Sequence, residues 1–202
     1  MVPVNTLTAT SKGAATRDAI IERAYEIARF TGLEGLSIGT IAQAVGMSKS
    51  GVFAHFGSRE DLQGAVLESA ALRFGNAVLI PALKAPRGLP RLKAIMRLWF
   101  DWAHVEAGRC VLVSSVSEYD DRPGPLRDMV MRQEQAWHDA LRRAAQLAID
   151  EGHLRAGDVD QYAFELYAIA LTVNHKSSLF GEAPSRLRGE LAVDRWCAAN
   201  SA

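Results

Sequence analysis

The pentapeptide at residues 35–39, Gly-Leu-Ser-Ile-Gly, is the stretch of this sequence that most resembles a catalytic motif. It fits G-x-S-x-G, in which a serine nucleophile sits on a sharp turn between a strand and a helix. Before Ser37, however, Ile20, Ala24 and Ile27 stand at helical spacing, so no strand leads into the motif. We therefore predict that Ser37 caps the next helix, where its hydroxyl accepts a hydrogen bond from a free backbone N–H group.

Other side chains that could bind metal or act in catalysis are scattered along the chain. The histidines form no H-E-x-x-H motif and have no cysteine or carboxylate at ligand spacing: His55, His104, His138, His153 and His175. Beside Tyr119, the acidic residues Glu118, Asp120 and Asp121 could face a cationic ligand or form a solvated loop. We predict no metal, no cofactor and no enzymatic activity.

Composition indicates an ordinary globular protein. The chain has 202 residues, 49% of them hydrophobic and 23% charged, and a formal net charge of zero. Its two cysteines, Cys110 and Cys197, are too few for a disulfide framework, which fits a reducing cytoplasm. Residues 1–15 lack the apolar run of a signal peptide and are predicted to form a flexible arm. No apolar run approaches the roughly 20 residues of a membrane-spanning helix, so we predict no membrane partner.

Apolar residues recur at helical spacing over almost the whole chain, so the predicted fold class is all-α. Pro81 is predicted to end the fourth helix, and residues 81–90 form a connection rich in proline and glycine. The predicted helices cover about 16–31, 37–45, 48–56, 58–79, 92–102, 108–119, 125–148, 159–180 and 184–198.

Residues 37–56 have the pattern of a helix-turn-helix. Two helices this short cannot bury their own faces, so they must cross sharply and pack on the preceding helix. Ala42 is small enough for a close crossing, and Gly46 tolerates the positive φ of the turn. The residues then predicted to face inward are Ile41, Val45, Met47 and Val52. In a helix-turn-helix the second helix lies in the major groove of DNA. A helical hairpin inside a bundle is the alternative interpretation.

The stretch from Thr16 to about Leu67 resembles the DNA-binding domain of the TetR family of transcriptional regulators, most specifically in GMSKSGVFAHFGSREDL, residues 46–62. Helix number and lengths in the rest of the chain are similar to that family's ligand-binding and dimerisation domain. The resemblance implies a homodimer that binds a roughly palindromic operator in double-stranded DNA and is released by a small effector. It also implies three parts: an arm, 1–15, a three-helix head with the helix-turn-helix, 16–62, and a helical effector-binding and dimerisation domain, 63–202.

The resemblance further implies which residues bind DNA. Those that contact phosphates, or support such contacts, are Ser37, Thr40, Ser48, Lys49, Phe53, His55 and Arg59. Lys49, Ser50 and Gly51 stand at the exposed start of the second helix, where base edges are read. Phe53 departs from the family, which usually has Tyr there, because a phenyl ring cannot donate to a phosphate. Lys49 is the only full charge between Gly35 and Ser58, so we expect a modest salt dependence.

Aromatic and sulfur-containing side chains are concentrated between residues 96 and 119. The candidate effector-binding residues are Met96, Trp99, Phe100, Trp102, His104, Cys110 and Tyr119. These residues either line a cavity for a moderately hydrophobic effector, with a hydrogen bond from Tyr119 or His104, or only pack the core. The helix over 58–79 would join such a cavity to the head.

Residues 162–173 read YAFELYAIALTV, and only Glu165 among them is charged. A helix that is apolar nearly all round is buried on both sides, so one side would face its own domain and the other a second subunit. The predicted interface residues are Tyr162, Leu166, Ile169, Val173, Leu187 and Leu191. We thus predict a cytoplasmic, homodimeric repressor that a small hydrophobic effector releases from its operator. The alternatives are an architectural helix-turn-helix protein and a hydrolase that uses Ser37.

Overall fold

The computed structural model describes residues 12–107 and 109–202, and this part of the chain contains nine helices of eight or more residues. The only β-type pairing among the described residues is an isolated bridge between Leu154 and Ser201. The all-α prediction is therefore confirmed. In chain order the helices are α1 Lys12–Thr31, α2 Ile38–Val45, α3 Lys49–Phe56, α4 Arg59–Phe74, α5 Leu89–Val105, α6 Val111–Tyr119, α7 Pro125–Asp150, α8 Val159–Phe180 and α9 Glu182–Ala199.

Side-chain caps and a left-handed glycine form the turns of the helix-turn-helix, as predicted. Ser37 Oγ accepts a hydrogen bond from the Thr40 N–H at 3.0 Å, and Ser48 Oγ accepts one from the Gly51 N–H at 3.1 Å. Gly46 ends α2 with a φ of 67°, a conformation that a side chain would make costly. These local signals fix where α2 and α3 begin and how sharply they cross.

The helix that follows the head runs further than predicted. After α4, a π-helical turn, Gly75–Leu79, leads into one last helical turn, Ile80–Ala82. Pro81 has no N–H to donate to the carbonyl four residues earlier, yet it is tolerated at the start of that last turn. The helical stretch Arg59–Ala82 is also long and apolar enough, by length and composition only, to span a membrane. Part of this stretch packs in the two hydrophobic cores of the chain, whereas Leu72 and Ile80 are exposed.

Two clusters of buried apolar side chains make up these cores, and α4 contributes to both. The first contains residues of α1 to α3, the first part of α4, and Val111, Tyr119, Leu126 and Val130. The second lies among α5, α7, α8 and α9 and includes Phe74. The core of the head therefore continues onto α6 and α7.

The ends of several helices differ from the predicted ones. α1 begins at Lys12, so residues 12–15 are helical rather than part of an arm; the rest of the predicted arm, residues 1–11, lies outside the described residues. α5 begins at Leu89 and α6 at Val111, whereas periodicity placed these starts at about 92 and 108. Proline in the first turn of α5 explains the earlier start, because its missing N–H would be unpaired there in any case.

Candidate DNA-binding surface and effector cavity

The outer surface of α3 carries small polar side chains, one cation and one phenyl ring. Lys49, Ser50 and Phe53 are exposed, and the Phe53 residue leaves 53% of its surface open to solvent. On the other side of the same helix, Val52 and Phe56 are buried in the head core. α3 therefore offers most of its circumference to a partner, and an α-helix has the width that the major groove of DNA admits.

Lys49 reaches back over the first turn of α2. Its Cε lies 3.2 Å, and its Nζ 3.6 Å, from the position that a Cβ on Gly39 would occupy. In the first turn of a helix, backbone N–H groups lack helical partners and the helix dipole favours an anion. The lysine and the start of α2 thus present positive potential at one place, which suits a DNA phosphate.

Arg59 is engaged within the protein. Its Nε donates to the Leu36 carbonyl at 2.7 Å, and a terminal nitrogen donates to the Glu34 carbonyl. A third contact, 3.3 Å, joins Arg59 to the Glu34 carboxylate. Of the two roles implied for Arg59, supporting the loop before α2 fits these contacts, and direct phosphate binding stays a prediction.

Several smaller residues of the predicted DNA site serve the caps. The Ser37 hydroxyl accepts a hydrogen bond from the Thr40 N–H and forms a second hydrogen bond, 2.8 Å long, with the Thr40 hydroxyl. Gly51 is half-buried, and its N–H is taken by Ser48. Thr40 and Ser48 are themselves exposed, whereas His55 is half-buried. Contacts of these residues with DNA remain predictions.

A cavity of about 170 Å³ lies among α4, α6, α7, α8 and the middle of α5. Four aromatic rings, one thiol and one carboxylate stand out in a lining that is otherwise mostly aliphatic: Phe74, Trp99, Trp137, Tyr167, Cys110 and Glu134. An open groove of about 950 Å³ beside α1 adjoins this cavity. The residues Cys110, Val113 and Tyr167 line both the groove and the cavity. Mostly apolar lining with a few polar groups is the usual make-up of small-molecule sites.

The aromatic rings of the cavity pack edge to face. Ring centroids of Trp99 and Trp137 are 4.6 Å apart, and those of Phe74 and Trp137 are 4.8 Å apart. The Tyr167 hydroxyl donates a 2.7 Å hydrogen bond to Glu134 Oε2. Burial and the neighbouring Glu134 carboxylate raise the pKa of Tyr167 well above its ordinary value, so this hydroxyl stays protonated and keeps donating.

Two family models match the sequence. Residues 20–66 match the model described as "Bacterial regulatory proteins, tetR family", and residues 88–189 match "Tetracyclin repressor-like, C-terminal domain". The chain belongs to the TetR family. It is a DNA-binding transcriptional regulator, as the resemblance of the head implied. No curated protein matches this TetR-family sequence.

Solved structures of TetR-family regulators share the fold of most of this chain. AibR, crystallised with isovaleryl coenzyme A and operator DNA, is 24% identical, with a TM-score of 0.71 over 92% of this chain and 97% of that one. A regulator from Streptomyces coelicolor is 19% identical, with a TM-score of 0.82 over 94% and 97%. One from Chloroflexus aurantiacus J-10-FL is 22% identical, with a TM-score of 0.81 over 93% and 94%. At these identities the likeness concerns the fold.

Only part of the predicted effector set lines the cavity of this TetR-family protein. Trp99 and Cys110 line it, whereas Met96, Phe100 and Trp102 are buried in the core around it. This correction has a simple cause: residues 96, 99, 100 and 102 point in different directions from one helix, and only one direction meets the cavity. The assignment of His104 to the effector site is also corrected, because its side chain is exposed and its Nδ1 lies 3.4 Å from a Glu182 carboxylate oxygen.

Tyr119, the last predicted effector residue, instead joins α6 to the head. Its hydroxyl donates a 2.7 Å hydrogen bond to Glu34, which also pairs with Arg122 at 3.2 Å. The neighbouring Glu118 accepts the Glu34 backbone N–H at 2.7 Å. The acidic cluster around Tyr119 is therefore partly structural: Glu118 binds the loop between α1 and α2.

The hydrogen bond from Tyr119, helped by Arg59 and Arg122, lowers the pKa of Glu34 below its ordinary value. A carboxylate with a depressed folded pKa stabilises the fold above its unfolded pKa, and this contribution is lost as the pH falls through the folded pKa. We therefore expect Tyr119→Phe to be less stable than the wild type at neutral pH, where Glu34 is ionised, and this difference to shrink as the pH falls through the folded pKa of Glu34. Urea unfolding at neutral and at acid pH, followed by circular dichroism, tests this; equal stabilities at neutral pH would contradict the assigned role of Tyr119.

The predicted dimer residues divide into two groups. Tyr162, Leu166 and Val173 are buried in the subunit's own core, so their assignment to the interface is corrected. They form the stripe of α8 that packs inward. Ile169 is half-buried, and Leu187 and Leu191 on α9 are exposed. The exposed apolar residues that sequence reasoning missed lie on the outer side and the end of α8: Phe164, Leu179 and Phe180.

Proposed function

We propose that this TetR-family regulator is a cytoplasmic homodimeric repressor that a small, mainly apolar effector, bound in the cavity, releases from its operator. The observation that carries the proposal is that two helices, α4 and α6, line the cavity with one part and contact the head with another. A ligand that changes the shape of the cavity must therefore act on both supports of the DNA-binding surface.

α4 forms the first of these supports. Phe74, Gly75 and Leu79, at and after its end, line the cavity, whereas Leu62 and Val66 are fully buried in the head core. The lining residues include the π-helical turn, a type of turn that is found often at functional sites. A rearrangement of this turn by an effector would rotate or shift the rest of α4, and the head with it.

α6 forms the second support. Val113 and Ser115 line the cavity, and Glu118 and Tyr119, within the next two turns, hold the loop between α1 and α2. The helix has only nine residues, so a displacement at the cavity reaches the head over a short and stiff path. An effector releases the operator only if it binds the displaced arrangement more tightly than the DNA-bound one.

AibR supports this proposal as a relative of the same fold, since it was crystallised together with both isovaleryl coenzyme A and operator DNA. In our proposal, effector and operator weaken each other's binding by the same factor, because the coupling free energy is reciprocal. The open groove beside α1 provides a route by which an effector enters the cavity, or room for its polar part.

Dimerisation is proposed on the outer faces of α8 and α9. These faces carry Phe164, Leu179, Phe180, Leu187 and Leu191, each between 41% and 67% exposed in the single subunit. A two-fold axis through such a face repeats every contact, as in most homodimers. Two heads held in this way read half-sites separated by about 10 base pairs or a multiple of it.

Binding to DNA that flanks the protein's own gene tests the function and supplies the operator. In fluorescence anisotropy, the wild type should bind one short segment far more tightly than bulk DNA of equal length. Lys49→Ala should weaken binding to both and reduce the slope of log K against log salt by about two, because each of the two subunits loses one phosphate contact. Lys84→Ala, which removes an exposed lysine outside the head, is the matched control. Equal affinity for all DNA would favour the architectural alternative.

Phe53→Tyr offers a complementary gain of function. Because Phe53 is exposed on α3, a hydroxyl on its ring can reach a phosphate without disturbing the head core. We expect operator binding to strengthen by about 1 kcal/mol for each subunit of the dimer, the usual net value of a hydrogen bond, with no change in the melting temperature of the free protein. Unchanged or weaker binding would mean that α3 docks with Phe53 turned away from the backbone.

A further inference from the structure

Among the described residues that line the cavity, Glu134 is the only one with a charged side chain. One of its oxygens accepts the hydrogen bond from Tyr167, and among the described residues the carboxylate makes no ion pair with a lysine, arginine or histidine. Outside the cavity, Glu134 borders a surface depression with Arg127 and His138. Arg127 Nε donates to the Asp120 carbonyl, and His138 stacks on Tyr167 with centroids 4.6 Å apart.

A carboxylate beside an apolar cavity loses part of its hydration when a ligand fills the cavity. That loss is costly unless the ligand brings a compensating positive charge. Among the described residues that line the cavity there is no lysine or arginine that would attract an anion.

The size of the cavity limits the apolar part of the ligand. Its volume of about 170 Å³ is close to that of cavities of roughly 150 Å³ that hold one benzene molecule. It is smaller than the roughly 300 Å³ at which drug-sized sites begin. One ring, or a branched alkyl group of similar size, therefore fits without rearrangement.

We infer that the effector is a small protonated amine whose apolar group has about the size of one aromatic ring. Its ammonium group lies against Glu134 and donates to the oxygen that Tyr167 leaves free, and its apolar group lies among Phe74, Trp99 and Trp137. The inference rests on the proposed function, because it names the chemistry of the ligand that the repressor senses. Tyr167 acts as a positioning residue, since its hydrogen bond holds the carboxylate in place.

Three probes of equal size separate charge from shape: benzylamine, benzyl alcohol and benzoate, titrated at neutral pH. Trp99 and Trp137 line the cavity, so their fluorescence reports binding. We expect the wild-type protein to bind benzylamine about tenfold more tightly than benzyl alcohol, as a partly desolvated ion pair allows, and benzoate most weakly. Glu134→Gln should remove the preference for the amine, whereas Glu151→Gln, which changes an exposed carboxylate beyond α7, should keep it.

Each outcome either supports or overturns the inferred positive charge of the effector. Equal binding of amine and alcohol by the wild type, or a preference that Glu134→Gln leaves intact, would overturn the inferred charge, and so would failure of benzylamine to bind at millimolar concentration. The comparison within the wild type stands even if Glu134→Gln does not fold. The proposed function fails separately: a protein that shows no operator preference in the absence of any probe is not the repressor proposed, whatever its affinity for amines.

Discussion

Arg29→Leu is expected to lower the free energy of unfolding by about 3 kcal/mol, because it leaves a buried carboxylate without its partner. Arg29 Nε lies 2.8 Å from Glu106 Oε2, and the side chains are only 17% and 5% exposed. Arg29 also donates to the Val105 carbonyl at 3.2 Å. These contacts join the end of α1 in the head to the end of α5, so the substitution should loosen the head as well as destabilise the fold.

The loss of stability should grow with pH. Burial raises the pKa of Glu106 above its ordinary value, and the positive charge of Arg29 opposes that rise. Without Arg29 the folded pKa rises further, so the folded state of the variant binds a proton that the unfolded state has released. Such a group stabilises the fold fully below its unfolded pKa and loses that contribution as the pH rises through the folded pKa. Relative to the wild type, Arg29→Leu should therefore be less destabilised at pH near 5 than at pH near 8.

Urea unfolding of four proteins at both pH values measures these effects. Arg23→Leu, an exposed arginine of the same helix, is the matched control and should change stability little. The double variant Arg29→Leu, Glu106→Leu should recover most of the loss, because two apolar side chains leave no charge to desolvate. A double variant as unstable as Arg29→Leu alone would show that the loss comes from packing and not from the ion pair.

How far sequence predicts this structure depends on the range of the interactions involved. The head was predictable because its signals are local. Ser37 and Ser48 cap helices within their own turns, and Gly46 fixes the sharp corner between them. Arg59 was harder to place, since its partners Leu36 and Glu34 lie in a loop that precedes it by more than twenty residues.

The cavity was only partly predictable because distant segments assemble it. Trp99 was found, since it stands in a run of aromatic residues on one helix. Phe74, Trp137 and Tyr167 come from three other helices, and nothing in their immediate sequence sets them apart from core residues. Glu134 illustrates the same limit: on a helix surface a glutamate is ordinary, and only the fold shows that it borders an apolar cavity.

The dimer face shows what periodicity leaves undecided. α8 is apolar nearly all round, which predicts that both sides meet apolar surface, but the spacing does not say which side faces inward. In the structure, the close packing at Gly189 shows which side of α8 faces inward. A Cβ at that position would lie 3.0 Å from Phe100 Cζ and would also collide with Val173, so α9 packs tightly against the Val173 side of α8. That packing leaves Phe164 on the outside.

Phe164→Glu is accordingly expected to dissociate the proposed dimer without unfolding the subunit. Phe164 is 63% exposed, so a charge there is hydrated in the single subunit, but it would be desolvated in the interface. Central aromatic residues of interfaces typically contribute about 2 kcal/mol each, and two-fold symmetry doubles the change in every dimer. Sedimentation equilibrium should therefore show monomers at a concentration at which the wild type is dimeric, with an unchanged helical circular-dichroism spectrum.

The matched control is Leu83→Glu, since Leu83 is 61% exposed but lies between α4 and α5, away from the proposed interface. This variant should remain dimeric. The dissociated Phe164→Glu protein should also lose most of its operator affinity, because each head alone makes only half of the contacts with a palindromic site. A Phe164→Glu protein that is still dimeric would place the two-fold axis on another face. If it becomes monomeric and yet keeps full operator affinity, the head acts alone, and the requirement for a dimer in DNA binding is wrong.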